Sequence, residues 1–192
     1  EGNTKLEITW TVLPLFIVLA FAYIGADNLA QTRRADPDAM VVKVTGRQWS
    51  WSFEYPEYGV TSNELHIPVG QQVLLQMTSG DVVHSFWVPE FRVKQDLVPG
   101  RITELRITPS IEGNYKVRCA ELCGTSHYSM EGLVIVVSQN VFDVWMGEQV
   151  ALAEIASQTP EGRGKASVAA NGCAACHTID GSANIGPTWV GL

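Results

Sequence analysis

The sequence predicts a mainly β protein, in which a transmembrane helix precedes a Greek-key β-sandwich or barrel and an all-α module begins after it. Three observations support this prediction. A long apolar segment lies near the N-terminus, and short β-forming runs separated by glycine and proline fill residues 40–138. A helical pattern and a second cysteine-containing motif occupy the rest of the chain. Such changes of pattern indicate a succession of separate modules.

The chain of 192 residues divides into four predicted segments. Residues 1–35 form the transmembrane helix and its flanks, residues 36–140 the β-domain, residues 141–163 a helix and a linker, and residues 164–192 the start of the all-α domain. The formal net charge of -7 argues against a nucleic-acid-binding protein, because such proteins need clustered Lys and Arg. The negative charge fits either a solvated acidic surface or docking to a basic partner.

The first segment contains an almost unbroken apolar stretch at residues 6–26, with a single charge, Glu7, at one end. About 20 such residues span a bilayer as a helix. Trp10 and Tyr23 lie near the two ends, where aromatic side chains favour the membrane interface, and Pro14 is tolerated within a membrane helix. The alternative is a buried helix of a soluble protein, which the length and the lack of internal charge disfavour.

The second segment contains seven runs rich in β-forming residues, separated by turn signals with Gly or Pro. The runs are residues 41–45, 49–55, 64–67, 72–77, 102–107, 114–118 and 133–137. Regular short strands of this kind predict a Greek-key sandwich or barrel, whose functional residues lie in loops at one end.

The third segment predicts an amphipathic helix followed by a linker. Residues 141–157 carry apolar side chains at helical spacing, including Phe142, Trp145 and Leu152. Residues 159–164, of sequence Thr-Pro-Glu-Gly-Arg-Gly, have the composition of a linker. A second module is expected to begin after them.

The most informative feature is a group of soft metal ligands that falls within twelve residues. Cys119, Cys123, His127 and Met130 provide two thiolates, an imidazole and a thioether, which suit copper better than any hard cation. A mononuclear blue-copper site needs one cysteine, whereas two cysteines at this spacing can place both sulfurs between two copper ions. The second copper then needs another imidazole, and His84 is available. The alternatives are a zinc site or a disulfide between the two cysteines.

These residues resemble the dinuclear copper (CuA) centre of the cytochrome c oxidase subunit II family. The residues at the positions of that motif are His84, Cys119, Glu121, Cys123, His127 and Met130. The resemblance implies that both cysteines bridge the coppers, that each histidine binds one copper, and that Met130 weakly binds one and the Glu121 carbonyl the other. It also implies a cupredoxin-like β-domain and a magnesium ion, bound by the Glu121 carboxylate, at the border with subunit I.

A second motif, Cys-Ala-Ala-Cys-His, ends at His177. In such a C-x-x-C-H motif, Cys173 and Cys176 can each add to a vinyl group of a haem, and His177 then faces the iron as the proximal ligand. The alternatives are half a zinc ribbon and a thioredoxin-like pair. No further cysteine pair remains for zinc once the first pair is used, and no thioredoxin-like βαβ pattern surrounds the motif.

The segments on both sides of this motif, residues 167–172 and 184–189, resemble those of class I c-type cytochromes. The resemblance implies a covalently bound haem c and a Gly-Pro segment that packs against it. That class uses a distal methionine well downstream of the motif, whereas all four methionines here lie upstream, so the sixth haem ligand is unassigned. Because only fifteen residues follow His177, we expect the cytochrome domain to be incomplete in this chain.

The haem motif decides the expected orientation in the membrane. Lys5 precedes the apolar stretch and Arg33 and Arg34 follow it, so the positive-inside rule would place the downstream side in the cytoplasm. Covalent haem, however, is attached outside the cytoplasm in bacteria. We therefore expect a bacterial plasma-membrane protein with its copper and haem domains on the periplasmic or extracellular side. The resemblance to the subunit II family implies a further transmembrane helix before this one, whose absence here we would expect to reflect cleavage, truncation or disorder.

Three more residues take roles from the same resemblance. Trp49 matches the tryptophan that receives electrons from cytochrome c, although Ser50 stands where the family often has an aromatic residue. Glu7 matches a glutamate at the cytoplasmic mouth of a proton pathway, and intramembrane carboxylates are usually functional. Asp96 matches a residue that contacts subunit I. The alternatives are that Trp49 simply packs and that Glu7 is an ordinary interfacial residue.

These features favour subunit II of a haem–copper cytochrome c oxidase with a fused cytochrome c domain. The resemblance implies that electrons pass from a donor to haem c, to the copper pair and then to subunit I, where oxygen is reduced and the complex translocates protons. The partners would be subunit I, the other oxidase subunits, membrane lipid, and a c-type cytochrome or another respiratory complex as donor. The alternatives are a free-standing, membrane-anchored electron carrier and a copper-delivery protein.

Overall fold

The computed structural model describes residues 2–191, without the side chains of residues 169, 170 and 175. The chain divides after Pro37 into two compact units. The N-terminal unit contains one helix, and the larger unit contains ten strands and two further α-helices. Every residue predicted to bind copper or haem therefore lies in the larger unit.

The N-terminal unit is built on the helix α1, which spans Thr4–Thr32. Asn3 caps its start, because the Asn3 side chain accepts a hydrogen bond from the Leu6 amide at 3.2 Å. A helix of 29 residues is about 43 Å long, which exceeds the roughly 30 Å apolar thickness of a bilayer. The helix is long and apolar enough to cross a membrane, and it extends beyond the predicted residues 6–26 at both ends.

The larger unit contains a sandwich of two five-stranded sheets. Its strands are β1 (Met40–Arg47), β2 (Ser50–Tyr55), β3 (Val60–Ser62), β4 (Leu65–Pro68), β5 (Val73–Ser79), β6 (His84–Val88), β7 (Val93–Leu97), β8 (Thr103–Ile107), β9 (Gly113–Cys119) and β10 (Glu131–Val137). The first sheet has the order β3-β2-β1-β5-β8, and the second has the order β4-β10-β9-β6-β7. All seven predicted β-runs are confirmed as strands, and β3, β6 and β7 are additional.

The order of the strands confirms the predicted Greek-key class. The chain changes sheet five times between β3 and β9, and it forms two parallel pairs, β1 with β5 and β4 with β10. The other paired strands are antiparallel. Long-range crossings of this kind distinguish a Greek-key sandwich from a simple meander. The fold is therefore a mainly β, cupredoxin-like sandwich with short helices after it.

Alternating side chains of the two sheets fill the core. In β1, β2 and β5 every second residue is buried, as expected for strands with one face on the core. The last residues of β1, β5 and β9 lie at the same end of the sandwich as the first residues of β2 and β6. We call this end the ligand end, because it carries His84 and Cys119.

Helix α2, which spans Gln139–Gln158, packs on the sandwich through the buried Phe142 and Met146 and confirms the helix predicted at residues 141–157. The Trp145 ring stacks on the His66 ring, with 3.8 Å between centroids. The Tyr55 hydroxyl joins β2 to β4, since it accepts a hydrogen bond from the His66 amide at 2.8 Å and donates one to the His66 carbonyl at 2.9 Å. Aromatic contacts therefore attach α2 to both sheets.

His66 makes this attachment sensitive to pH. Burial lowers the pKa of His66 below its usual value of 6.5, although Glu64 at 3.2 Å opposes the effect. Because the unfolded chain binds the proton more readily, His66 contributes stability above about pH 6.5 that is lost as the pH falls. We expect His66→Phe, which keeps a ring against Trp145, to lose less stability between about pH 7.5 and pH 5 in urea unfolding. Equal losses in the two proteins would contradict this role.

The interpretation of residues 159–164 as a linker is wrong, because these residues begin a helix. This helix, α3, spans Pro160–Ala170 and packs along α2 and β3. The Thr159 hydroxyl accepts a hydrogen bond from the Gly162 amide at 3.0 Å, which caps the helix start. Pro160 occupies the first helical position, where its missing amide hydrogen is not needed. The two glycines of this segment therefore do not prevent helix formation.

Candidate functional site

His84 begins β6, and a carboxylate fixes its ring. The side chain is fully buried, and its Nε2 atom lies 2.7 Å from Asp81 Oδ1. The Asp81 carboxylate accepts hydrogen bonds from the backbone amides of Gln48 and Val82, both at 2.7 Å. A carboxylate at Nε2 favours the tautomer with a proton on that atom. The Nδ1 atom of His84 is then free to bind a metal ion.

The other predicted copper ligands lie in the loop from Cys119 to Met130, which we call the ligand loop. Cys119 ends β9, a 3-10 turn spans His127–Ser129, and Met130 immediately precedes β10. Gly124 has a φ of 117°, which a residue with a side chain rarely adopts. A Cβ atom at this position would also lie 2.7 Å from Gln48 Nε2. The loop can approach the β1–β2 turn closely because residue 124 is glycine.

Two free thiols lie at the centre of the site, and each has an imidazole beside it. Cys119 Sγ and Cys123 Sγ are 3.6 Å apart. His84 Nδ1 lies 3.8 Å from Cys119 Sγ, and His127 Nδ1 lies 3.5 Å from Cys123 Sγ. The ligand atoms of His84, Cys119 and Cys123 lie within 4.8 Å of one another and could hold a metal ion. The fold therefore joins His84 to a loop that begins 35 residues later.

Two weaker donors also face the thiol pair. The carbonyl oxygen of Glu121 lies 3.2 Å from Cys119 Sγ, and Met130 Sδ lies 3.8 Å from Cys123 Sγ. Met130 is buried, so its thioether is held away from solvent. The structure thus brings all six sequence-predicted residues to one place.

The two thiols differ in acidity. Burial opposes ionisation of Cys119, but hydrogen bonding with the His84 imidazole and with nearby backbone lowers the pKa of its thiol to about 6. Burial and the adjacent Cys119 thiolate raise the pKa of Cys123 to about 12. Cys119 is therefore the more acidic of the two thiols. A metal that binds both sulfurs must displace the protons that they carry, so its binding weakens at low pH.

The β1–β2 turn anchors the ligand loop. Gln48 Nε2 and Trp49 Nε1 both donate hydrogen bonds to the carbonyl oxygen of Cys123, at 2.8 and 3.2 Å. Trp49, predicted from the resemblance to receive electrons, is half-buried and touches the ligand loop directly. Sequence reasoning missed Gln48, because it belongs to no metal or haem motif. Its only signal is its place in the sequence next to Trp49.

A surface ion-pair network lies next to the ligand loop. Lys94 Nζ donates to Glu121 Oε1 and to Asp96 Oδ1, both at 3.0 Å. The Asp96 carboxylate also accepts a hydrogen bond from Ser85 Oγ at 2.7 Å, and Ser85 follows His84. Asp96, predicted to contact subunit I, is part of this network, and its side chain is 45% exposed. The network links β7 to β6 and to the ligand loop.

The C-x-x-C-H motif follows α3. Cys173 and Cys176 are free and half-buried. The motif begins with a single 3-10 turn, Cys173–Ala175, rather than with an α-helix. Gly172, directly before the turn, has a φ of 66° and so needs the freedom of glycine. This left-handed residue separates the turn from α3.

His177 is oriented by the residues that follow the motif. Its Nδ1 atom lies 2.8 Å from the Pro187 carbonyl oxygen, and its ring stacks on Trp189 with 4.8 Å between centroids. A Cβ atom at Gly186 would lie 2.7 Å from His177 Cε1, so only glycine fits there. A carbonyl acceptor at Nδ1 leaves Nε2 free as a ligand. Glu7, in contrast, lies in the first turn of α1, and its role stays a prediction.

Comparison with known proteins connects this site to a family. Residues 59–140 match the family model described as cytochrome C oxidase subunit II, periplasmic domain. Cytochrome c oxidase subunit 2 of Cereibacter sphaeroides is 31% identical over 203 residues, which cover 83% of this chain and 67% of that protein. The chain belongs to the cytochrome c oxidase subunit II family. Subunit 2 of Alkalihalophilus pseudofirmus is 36% identical over 189 residues, which cover 95% of this chain.

A solved subunit II structure shares the fold. The crystal structure of the periplasmic domain of subunit II (CoxB) of Bradyrhizobium japonicum has a TM-score of 0.57 and 31% identity, and the match covers 62% of this chain and 96% of that one. The periplasmic family model and the apolar α1 together indicate a membrane-anchored member of the subunit II family with a periplasmic domain. The chain spans 55% of the length of the Alkalihalophilus pseudofirmus protein.

Proposed function

We propose that this chain is the electron-transfer subunit of a haem–copper cytochrome c oxidase and that its ligand loop, with His84, holds two copper ions. The observation that supports this proposal most strongly is the pair of free, buried thiols 3.6 Å apart, each with an imidazole nitrogen within 3.8 Å. Membership of the subunit II family supports the same function.

The donor set fits copper better than zinc or a disulfide. Thiolate, imidazole and thioether are soft ligands, and zinc sites in proteins do not use the thioether that Met130 provides. A structural zinc ion also needs four donors around one point, whereas the two imidazoles here lie beside different thiols. When bound, the two coppers supply a one-electron carrier whose charge is shared over both metals and both thiolates.

The contribution of the protein is to hold the donors in place and to exclude water. Asp81 fixes the ring of His84, and Gln48 and Trp49 fix the carbonyl of Cys123. Both sulfurs are buried between the sheets and the loop. Donors that are already in position need little rearrangement when the charge of the site changes, and this property suits electron transfer.

The proposed function includes covalent haem c at Cys173 and Cys176, with His177 as the proximal ligand. Both thiols are free, and the contact between His177 Nδ1 and the Pro187 carbonyl leaves Nε2 available for iron. The two thiols and the imidazole therefore fit a covalently bound haem c. When bound, haem c supplies a second one-electron carrier.

The residues of this chain alone do not fit a magnesium ion at Glu121. Its carboxylate pairs with the Lys94 ammonium, which also pairs with Asp96. A magnesium ion prefers oxygen ligands and would have to displace Lys94 from between the two carboxylates. Magnesium is therefore not part of the function proposed for this chain.

The proposed partners are subunit I, the other oxidase subunits, membrane lipid, and a c-type cytochrome or another respiratory complex as donor. Leu122 and Tyr128 of the ligand loop are 84% and 85% exposed next to the buried Cys123, which suits a docking surface. Trp49 is proposed as the residue that receives electrons, and Glu7 as the start of a proton pathway in the assembled complex. The copper and haem domains are proposed to lie on the periplasmic side of a bacterial plasma membrane.

The test is electron paramagnetic resonance on the copper-loaded chain in detergent, with an optical haem spectrum of the same sample. Hyperfine structure from two equivalent coppers that share one spin, together with a c-type haem spectrum, is the expected result. A single-copper pattern would overturn the dinuclear assignment. Co-purification with a large haem-binding subunit is expected for an oxidase, whereas its absence would indicate a free-standing carrier.

Substitution of Met130 by leucine tests the proposed weak ligand. Leucine has nearly the volume of methionine, so the fold should lose less than about 1.5 kcal/mol. We expect two coppers to remain bound, with a changed reduction potential and a changed optical and hyperfine spectrum. Met146→Leu is the matched control, because Met146 is equally buried but lies on α2. An unchanged potential and spectrum in Met130→Leu would contradict ligation by its thioether.

A further inference from the structure

The turn formed by residues 48–50 contacts the ligand loop on one side. Its Gln48 and Trp49 side chains donate hydrogen bonds to the Cys123 carbonyl, at 2.8 and 3.2 Å. Gly124 packs so closely on the same two side chains that a Cβ atom there would lie 2.7 Å from Gln48 Nε2 and 3.1 Å from Trp49 Cζ2. The position of the turn and the position of the ligand loop are therefore coupled.

The same turn contacts the C-x-x-C-H segment through its third residue. Gly172, directly before Cys173, lies against Ser50, and a Cβ atom at Gly172 would overlap with Ser50 Oγ. A side chain at residue 172 would therefore require that the Ser50 hydroxyl rotate away or that one of the two segments move, and the φ of 66° adds backbone strain. Two glycines, Gly124 and Gly172, thus bring two separate segments of the chain against one three-residue turn.

The fold explains how the C-terminal segment reaches this turn. Strand β3 pairs with β2 and runs back toward the ligand end, with Ser62 opposite Phe53. Helix α3 packs along β3, and its C-terminal end leads directly into Gly172. Ser50, the first residue of β2, lies at the ligand end, where the segment arrives.

We propose that the turn of residues 48–50 is an internal docking site, at which the contact between Ser50 and Gly172 positions the C-x-x-C-H segment relative to the ligand loop. Ser50 and Gly172 are positioning residues in this proposal, since neither provides a ligand atom. The proposal deepens the proposed function, because it would fix the spacing between the haem-bearing and copper-bearing segments. The contact between Ser50 and Gly172 itself does not require that copper or haem is bound.

The test measures hydrogen exchange of the full chain in detergent, in peptides that cover residues 171–178. The amides of Cys176 and His177 are bonded to the Cys173 carbonyl at 3.2 and 3.1 Å, so they report on local opening. We expect Gly172→Ala to speed exchange in these peptides roughly tenfold. Addition of Ser50→Gly, which removes the overlapping atoms, should slow exchange again by at least about fivefold.

Gly59→Ala is the matched control, because Gly59 has nearly the same φ, 65°, but no atom within 4 Å of its Cβ position. This variant places a similar backbone strain at a different turn, so exchange at residues 171–178 should stay unchanged if a strained alanine does not loosen the whole unit. If the double variant exchanges as fast as Gly172→Ala alone, the effect is backbone strain and the docking proposal is wrong. Fast exchange of residues 171–178 in the unchanged protein would also overturn it.

Spectra of the same samples separate this proposal from the proposed function. Exchange results as expected, combined with a single-copper spectrum or no haem, would support the docking contact and refute the cofactor assignment. If the copper and haem spectra are normal but Ser50→Gly does not slow the exchange of Gly172→Ala, the cofactor assignment is supported and the docking contact is refuted. Slow exchange in the strands β2 and β9 confirms that each variant is folded.

Discussion

Cys123→Ser is expected to abolish the dinuclear copper spectrum. The Cys123 sulfur lies 3.6 Å from Cys119 Sγ, 3.5 Å from His127 Nδ1 and 3.8 Å from Met130 Sδ, so it contacts three of the proposed donors, among them the only thioether. A serine hydroxyl is a hard donor with a high pKa and cannot replace a bridging thiolate. We expect bound copper to fall from two ions per chain to one or none, measured by metal analysis and electron paramagnetic resonance.

Cys176→Ser is the matched control for this experiment, because it removes a thiol from the other motif. It should leave the copper spectrum intact and change only the haem spectrum. A normal dinuclear spectrum in Cys123→Ser would refute the bridging role. Loss of copper in both variants would indicate that the two motifs depend on each other for folding.

Phe142→Ala is expected to destabilise the larger unit by about 3–5 kcal/mol, the usual cost of truncating a buried phenylalanine. Phe142 is 1% exposed, and its ring lies within 6.4 Å of the rings of Tyr55, Tyr58 and Trp145. Its removal leaves a cavity between α2 and the sandwich that the remaining rings cannot fill without losing their own contacts. Urea unfolding of the full chain in detergent, followed by tryptophan fluorescence, measures the change.

Leu152→Ala serves as the control on the same helix, because Leu152 is 58% exposed and its truncation should change stability by less than about 0.5 kcal/mol. Copper binding by folded Phe142→Ala should be unchanged, since α2 contributes none of the proposed ligands. A loss of stability below about 1 kcal/mol would show that α2 does not depend on Phe142 for its attachment.

The sequence was sufficient to predict seven of the ten strands, including the fully buried β4, but not β3, β6 and β7. Residues 41–45 and 72–77 alternate between buried and partly exposed positions, which is the pattern that identifies strands with one buried face. Strand β6 has no such alternation, because His84, Ser85 and Phe86 are all buried. Strand β3 is only three residues long, and β7 is a polar edge strand, so neither has a clear hydrophobic period.

The sequence was sufficient to predict the ligands that lie close together along the chain. Residues that only the fold brings to the site were harder to predict. Cys119, Cys123, His127 and Met130 form one recognisable stretch, and His84 was added because a second imidazole was needed. Gln48 could not be found in this way, since its bond to the Cys123 carbonyl spans 75 residues and depends on how two loops meet. The contact between Ser50 and Gly172 depends in the same way on the path of α3.

The connection between β9 and β10 contains most of the proposed copper ligands. Five of the six proposed ligand residues lie in this single hairpin connection, and the remainder of the fold supplies only one imidazole, from His84. A sandwich with a suitably placed histidine, and with a neighbouring turn that holds the Cys123 carbonyl as Gln48 and Trp49 do here, would therefore need only these twelve contiguous residues to gain the other proposed ligands. The proposed ligands are in this sense concentrated in one short replaceable segment, while the rest of the sandwich supplies the contacts that hold this segment in place.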